Sequence, residues 1–178
     1  LQAYLKEYPH GNNVNLADFY IAESYKNLGK KEQACDWYKK VIENGDDSFV
    51  EASSLNFARL SYGLQRYQDA YSGYRTLLEC ARIENNKHTA VVGMMNSAYA
   101  GKDYESAISA AVKVAADKQG DKDDLRRAQY VEAKSYLATS QRDKAFAMLK
   151  KLSSSTSTPE GAEATYLIIQ DRYDQGRF

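Results

Sequence analysis

The sequence predicts an all-α fold of repeated antiparallel helix-turn-helix units, and three observations carry that reading. Ala34, Ala70, Ala107 and Ala145 follow one another at spacings of 36, 37 and 38 residues. Twelve residues before each lie Ala22, Ala58, Met95 and Ala133, and this spacing of twelve never varies. The composition agrees: 15 Tyr stand beside only 2 Pro in 178 residues, which suits helices with amphipathic faces and does not suit a loop-rich chain. A rigid hairpin joined to its neighbours by length-tolerant loops produces a fixed internal spacing and a variable external one.

Taken in order, the first hairpin has Ile21, Ala22, Tyr25 and Leu28 recurring at three or four residues, the period of an apolar helical stripe. Gly29 then supplies a left-handed stop, and Ala34, Trp37, Tyr38, Val41 and Ile42 resume the period. In the second hairpin Ala58 leads to a turn at Leu64 to Asp69, after which Ala70, Tyr74 and Leu77 follow. The third turns at Gly101 to Tyr104 before Ala107, Ala111 and Val114, and the fourth at Ser140 to Asp143 before Ala145, Leu149 and Leu152. Asp69, Asp103 and Asp143 fall near the starts of second helices, where a carboxylate accepts orphan N–H bonds and favours the dipole. The acidic run Asp121, Asp123 and Asp124 lacks the glycine and distal glutamate of a calcium loop and reads as a helix cap before Leu125. Ser153 to Thr158 is the longest polar linker and the expected flexible joint, with Pro159 opening a helix capped by Thr158.

Charge and chemistry narrow the function. The chain has 24 Lys plus Arg against 24 Asp plus Glu, so it lacks the basic excess that nucleic acids or anionic membranes require, and no stretch is long and apolar enough for a membrane span. No nucleophile with a base, carboxylate pair, phosphate loop or metal cluster occurs at usable spacing, so no catalytic residue, metal or cofactor is expected. His10 and His88 are placed in connections between repeats. Cys35 and Cys80 fall out of phase by about 13 Å along parallel helices at 1.5 Å per residue, and both are expected to remain thiols.

The segment Ala22 to Val41, with Tyr25, Leu28-Gly29, Ala34 and Tyr38, resembles a tetratricopeptide repeat, and Ala58 to Leu77, Met95 to Val114 and Ala133 to Leu152 are similar to it. The resemblance divides a single repeat domain over 1–178 into repeats at about 14–47, 48–86, 87–120 and 122–158, with partial repeats at 1–10 and 159–178. The chain is thus read as a fragment that starts and stops inside repeats. Asp18, Ser54, Val91 and Gln129 depart from the family's bulky position. The long repeats and the phrase Tyr4 to Asn12 most resemble the divergent repeats of bacterial envelope proteins, which implies a periplasmic or cell-envelope location.

The resemblance further implies a right-handed superhelix whose concave face is lined by first helices. Its groove positions are Phe19, Glu23 and Lys26; Leu55, Arg59 and Tyr62; Val92, Asn96 and Tyr99; Tyr130, Lys134 and Leu137; and Tyr166, Gln170 and Tyr173. Aromatics mixed with single polar groups are the make-up of a groove for a peptide or protein ligand. Some of these tyrosines have packing on the next repeat as an alternative role. The cations among them make the groove locally more basic than the whole chain. Phe19 and Glu23 stand where the chaperone-tail members of the family carry a carboxylate clamp, so that clamp is not implied. The expected function is a non-catalytic protein-interaction scaffold in bacterial envelope assembly, of open oligomeric state; the alternative is a carbohydrate-binding helical-repeat protein of a glycan-utilisation system.

Overall fold

The computed structural model describes residues 1–45 and 49–176. Among the described residues it contains ten helices: α1 (Gln2–Glu7), α2 (Val14–Asn27), α3 (Lys31–Asn44), α4 (Val50–Gly63), α5 (Tyr67–Cys80), α6 (Glu84–Ala100), α7 (Tyr104–Ala116), α8 (Lys122–Ala138), α9 (Arg142–Leu152) and α10 (Pro159–Asp174). None of them is long and apolar enough to cross a membrane. All of the small residues used to align the repeats, Ala22, Ala34, Ala58, Ala70, Ala107, Ala133 and Ala145, are fully buried, as is Met95. A methyl group at these points lets paired helices approach closely, so the register read from them is the register of the packing.

The invariant spacing of twelve has a local cause. All four hairpins turn through three residues, 28–30, 64–66, 101–103 and 139–141, and the middle one has a positive φ: Gly29 72°, Gln65 60°, Lys102 61° and Ser140 60°. The N–H of that residue bonds the carbonyl three before it, as Gln65 does to Tyr62 at 2.9 Å, and the next N–H bonds the carbonyl five before it, as Arg66 does to Ser61 at 2.8 Å. The same pair of bonds recurs in the other three turns. This is the Schellman closure, which satisfies the last carbonyls of one helix and launches the next with no slack. Glycine occupies the left-handed position only once. In the third hairpin Gly101 lies one residue too early, and Lys102 takes the strained conformation instead. Lys102→Gly should therefore raise the urea midpoint by an amount equivalent to about 1 kcal/mol, and Gly29→Ala should lower it similarly, because a Cβ at Gly29 would meet no other atom and only the backbone term changes. Midpoints unmoved in both variants would show that the turns are not strained.

The chain forms two compact units, residues 1–97 and 98–178. In the first, α1 packs on α2, α2 on α3, α3 on α4 and α4 on α5. Its core gathers Ala22, Ala34, Cys35, Tyr38 and Phe57, with Phe19, Tyr25, Trp37, Ile42, Leu60 and Leu64 packed around them. In the second, α7 packs on α8, α8 on α9, and α10 on both α8 and α9. Ala111, Val114, Val131, Leu149, Leu152 and Ala164 are buried there. A helix of this length is marginal alone in water, so each gains its stability from such stripes.

Several local expectations are met and several corrected. Asp121 caps α8 in a reciprocal capping box with Asp124, and Thr158 caps α10 ahead of Pro159. Of the three aspartates expected at second-helix starts, only Asp103 caps by its side chain, accepting from the Ser106 N–H. Asp69 and Asp143 stand inside the first turns of α5 and α9, and their helices have no side-chain cap bond. His88 lies within α6 and not in a connection, because that helix begins at Glu84. In the 153–158 linker the Ser155 N–H bonds the Leu152 carbonyl and the Thr158 N–H bonds the Ser155 carbonyl, so consecutive turns fold the connection. Cys35 and Cys80 are free thiols.

Candidate partner-binding faces

The groove positions expected from the sequence divide between the units, lying on α2, α4 and α6 in the first and on α6, α8 and α10 in the second. In the first unit the centre is Glu23 on α2. Lys26, one turn on, brings its Nζ to 2.7 Å from Glu23 Oε2. The Tyr38 hydroxyl from α3 donates to Glu23 Oε1, and Asn56 Nδ2 from α4 donates to the same oxygen at 3.3 Å. One carboxylate thus ties three helices together. Burial works against its charge, but the bonds from Lys26 and Tyr38 outweigh that and hold the carboxyl below its ordinary 4.5. Burial and the Glu23 carboxylate together push the Tyr38 phenol up, so it remains a donor.

Around this centre the other positions differ in accessibility. Phe19 is half-buried, with Phe49 at 4.9 Å and Tyr38 at 6.2 Å between ring centroids. Leu55 and Asn96 are also half-buried. Arg59 and Tyr62, one turn apart on α4, are exposed, and the Tyr62 ring is propped edge-on against Tyr67 at 5.4 Å. Tyr67 opens α5 directly after the hairpin turn, so the Schellman closure positions the prop.

In the second unit Glu163 on α10 has the corresponding role. Its Oε1 lies 2.8 Å from Lys134 Nζ, and the Tyr130 hydroxyl bonds it as well. Those two bonds hold its carboxyl low, while burial and the Glu163 contact push the Tyr130 phenol up. Tyr130 is only 8% exposed, with the Arg127 guanidinium 5.5 Å and Lys134 Nζ 5.9 Å from its ring centroid. It is a packing residue, the alternative role noted for this group. Tyr99 is half-buried and packs edge-on against Tyr104 at 6.3 Å. Tyr166 and Tyr173 are 62% and 65% exposed, and the Tyr166 hydroxyl donates to Gln170 at 3.2 Å.

These contacts correct the expected charge of the groove. Lys26 and Lys134 are each paired with a glutamate, so neither offers a free positive charge, and Arg59 is the exposed cation of the set. Glu163 was not among the expected groove residues. Its role depends on α10 reaching back to Lys134 and Tyr130, about thirty residues earlier, which no local pattern announces.

Because both glutamates titrate below 4.5 in the folded chain, the stability they confer is complete above that value and is lost as pH falls through their lower folded values. Urea midpoints followed from about pH 6 to about pH 3 should therefore fall, and Glu23→Gln should flatten the fall in the first unit. An unaltered slope in that variant would remove Glu23 from the account.

Residues 16–47 match the family described as Tetratricopeptide repeat. A TPR repeat-containing protein of Methanocaldococcus jannaschii is 36% identical over 74 residues, which is 40% of this chain and 22% of that protein. The match therefore spans less than a quarter of the relative. The crystal structure of MamA aligns with a TM-score of 0.57 over 95% of this chain and 88% of its own, at 16% identity, a likeness of fold alone.

Proposed function

This chain belongs to the tetratricopeptide-repeat family, and from that premise we propose that it is a non-catalytic scaffold binding a segment of a protein partner across the first-helix face. The observation that carries the reading is the pair Arg59 and Tyr62, exposed one turn apart beside the fixed Glu23, Lys26 and Asn56 network. Tyr and Arg dominate interface energetics, and polar groups already bonded in place need no ordering when a ligand arrives. Tyr166, Gln170 and Tyr173 offer a second such surface in the other unit. The paired lysines favour a ligand recognised by stacking and neutral hydrogen bonds over a strongly acidic one. The setting in bacterial envelope assembly rests on the resemblance at Tyr4 to Asn12, and the Methanocaldococcus relative adds nothing to it.

A peptide library screened against the chain tests this. Arg59→Ala with Tyr62→Ala should weaken a selected binder at least tenfold, about 1.4 kcal/mol, without moving the thermal midpoint. Undiminished peptide binding, or saturable binding of oligosaccharides lost in Tyr62→Ala in place of any peptide, would overturn the reading.

A further inference from the structure

Short side chains on α5 leave a gap in the first unit. Asp69, Ser72, Gly73 and Thr76 stand at i, i+3, i+4 and i+7, so they share one side of that helix. Gly73 sets the depth. A Cβ there would lie 2.8 Å from Phe57 Cδ1 and 3.0 Å from Ala58 Cβ, so only a bare backbone lets α5 settle this closely onto α4. From the other side α3 contributes Lys39, Ile42 and Glu43, and the space enclosed is about 190 Å³, with the buried Phe57 of α4 as its floor. That volume is below the size of a cofactor site and suits one long side chain.

The rim carries the charge. Lys39 Nζ lies 3.8 Å from Glu43 Oε1, one turn on along α3, and Lys40 Nζ lies 3.6 Å from the Trp37 ring centroid, so both lysines are engaged on their own helix. The Lys39–Glu43 pair is exposed on both sides, 58% and 62%, and is therefore a weak one. Asp69 is exposed and has no ion pair among the described residues, and α5 has no side-chain cap bond to occupy it. The rim thus holds one carboxylate without a cation and a second whose cation is loosely held.

We propose that this pocket seats an arginine side chain of a protein partner. The methylene stem lies against Phe57 and Ile42, and the guanidinium stays at the rim, where it donates to Asp69 and to the Ser72 hydroxyl oxygen. A guanidinium is more weakly hydrated than an ammonium and meets a carboxylate with two N–H donors, which favours arginine over lysine. The site is built from α3, α4 and α5, and neither Arg59 nor Tyr62 lines it, so it stands or falls apart from the first-helix reading.

The probe is N-acetyl-arginine N-methylamide, titrated into the isotopically labelled full chain at about 20 mM salt, where surface charges are weakly screened. Amide shifts at Ser72, Gly73 and Thr76 should saturate in the millimolar range. The norleucine analogue, which keeps the stem and lacks the charge, should bind about fivefold more weakly. Asp69→Asn should bring the arginine probe down to the norleucine level and leave norleucine itself unchanged, an internal control that the pocket still forms. Ser72→Phe fills the space and should abolish binding of both, with the Trp37 fluorescence midpoint in urea unmoved. Arg59→Ala should change nothing. Equal binding of the arginine and norleucine probes on the parent, tighter binding of the lysine analogue, arginine binding that survives Asp69→Asn or Ser72→Phe, or shifts that never saturate would overturn the proposal.

Discussion

Tyr38→Ala is expected to destabilise the 1–97 unit by about 3–5 kcal/mol, the range for deleting a fully buried aromatic ring. The side chain is 0% exposed and lies in the cluster with Ala22, Ala34 and Phe57. Its removal leaves a cavity between α2, α3 and α4 and also takes a donor from Glu23, whose remaining partners are Lys26 and Asn56. Since a domain's whole stability is about 5–15 kcal/mol, the variant should lie near its unfolding threshold at room temperature. Trp37 is the single tryptophan of the chain and belongs to the same unit, so its fluorescence in urea reports this unit directly. Tyr38→Phe keeps the ring and should cost only about 1 kcal/mol, the net worth of one hydrogen bond. Equal losses in the two variants would mean that the cavity is not the cause.

Gly161→Ala should cost the second unit about 3 kcal/mol, at the upper end of overpacking penalties. A Cβ there would lie 2.1 Å from the Ser155 carbonyl oxygen and 2.6 Å from its carbon, and these are backbone atoms that cannot rotate aside. Either the closed 153–158 linker or the first turn of α10 must move, and the bond from Gly161 N–H to Thr158 Oγ1 at 3.2 Å is lost with it. Hydrogen exchange should accelerate along α10 while α8 stays protected. Gly63→Ala is the control: it lies at the end of α4 with nothing within 4 Å of the added carbon, and should stabilise slightly by helix propensity. Slow exchange throughout α10 in Gly161→Ala would contradict the packing described.

The fold was legible wherever one residue type has one geometric use. Alanines at a constant spacing mark helix contacts because no larger side chain fits there, and all seven proved fully buried. Thr158 and Pro159 were readable for the same reason, since a hydroxyl before a proline has a defined place at a helix start. Legibility ended where a residue's role depends on a distant partner. Lys26 and Lys134 look like free groove cations in the sequence and are neutralised by Glu23 and Glu163 in space. Tyr130 occupies a groove position by count but is buried by its bonds to α10. Lys102 shows the third kind of miss: the left-handed position of the turn falls on residue 102, and the local glycine stands one residue before it.

The claim that the first-helix face receives the partner is tested most directly by mapping a selected peptide on the full chain with amide chemical shifts. The account predicts the largest changes at Glu23, Asn56, Arg59, Tyr62 and Asn96, with the Tyr166, Gln170 and Tyr173 surface responding if the peptide extends there. Changes confined to the outer residues of the second helices α3, α5 and α7, with Arg59 and Tyr62 unmoved, would contradict it.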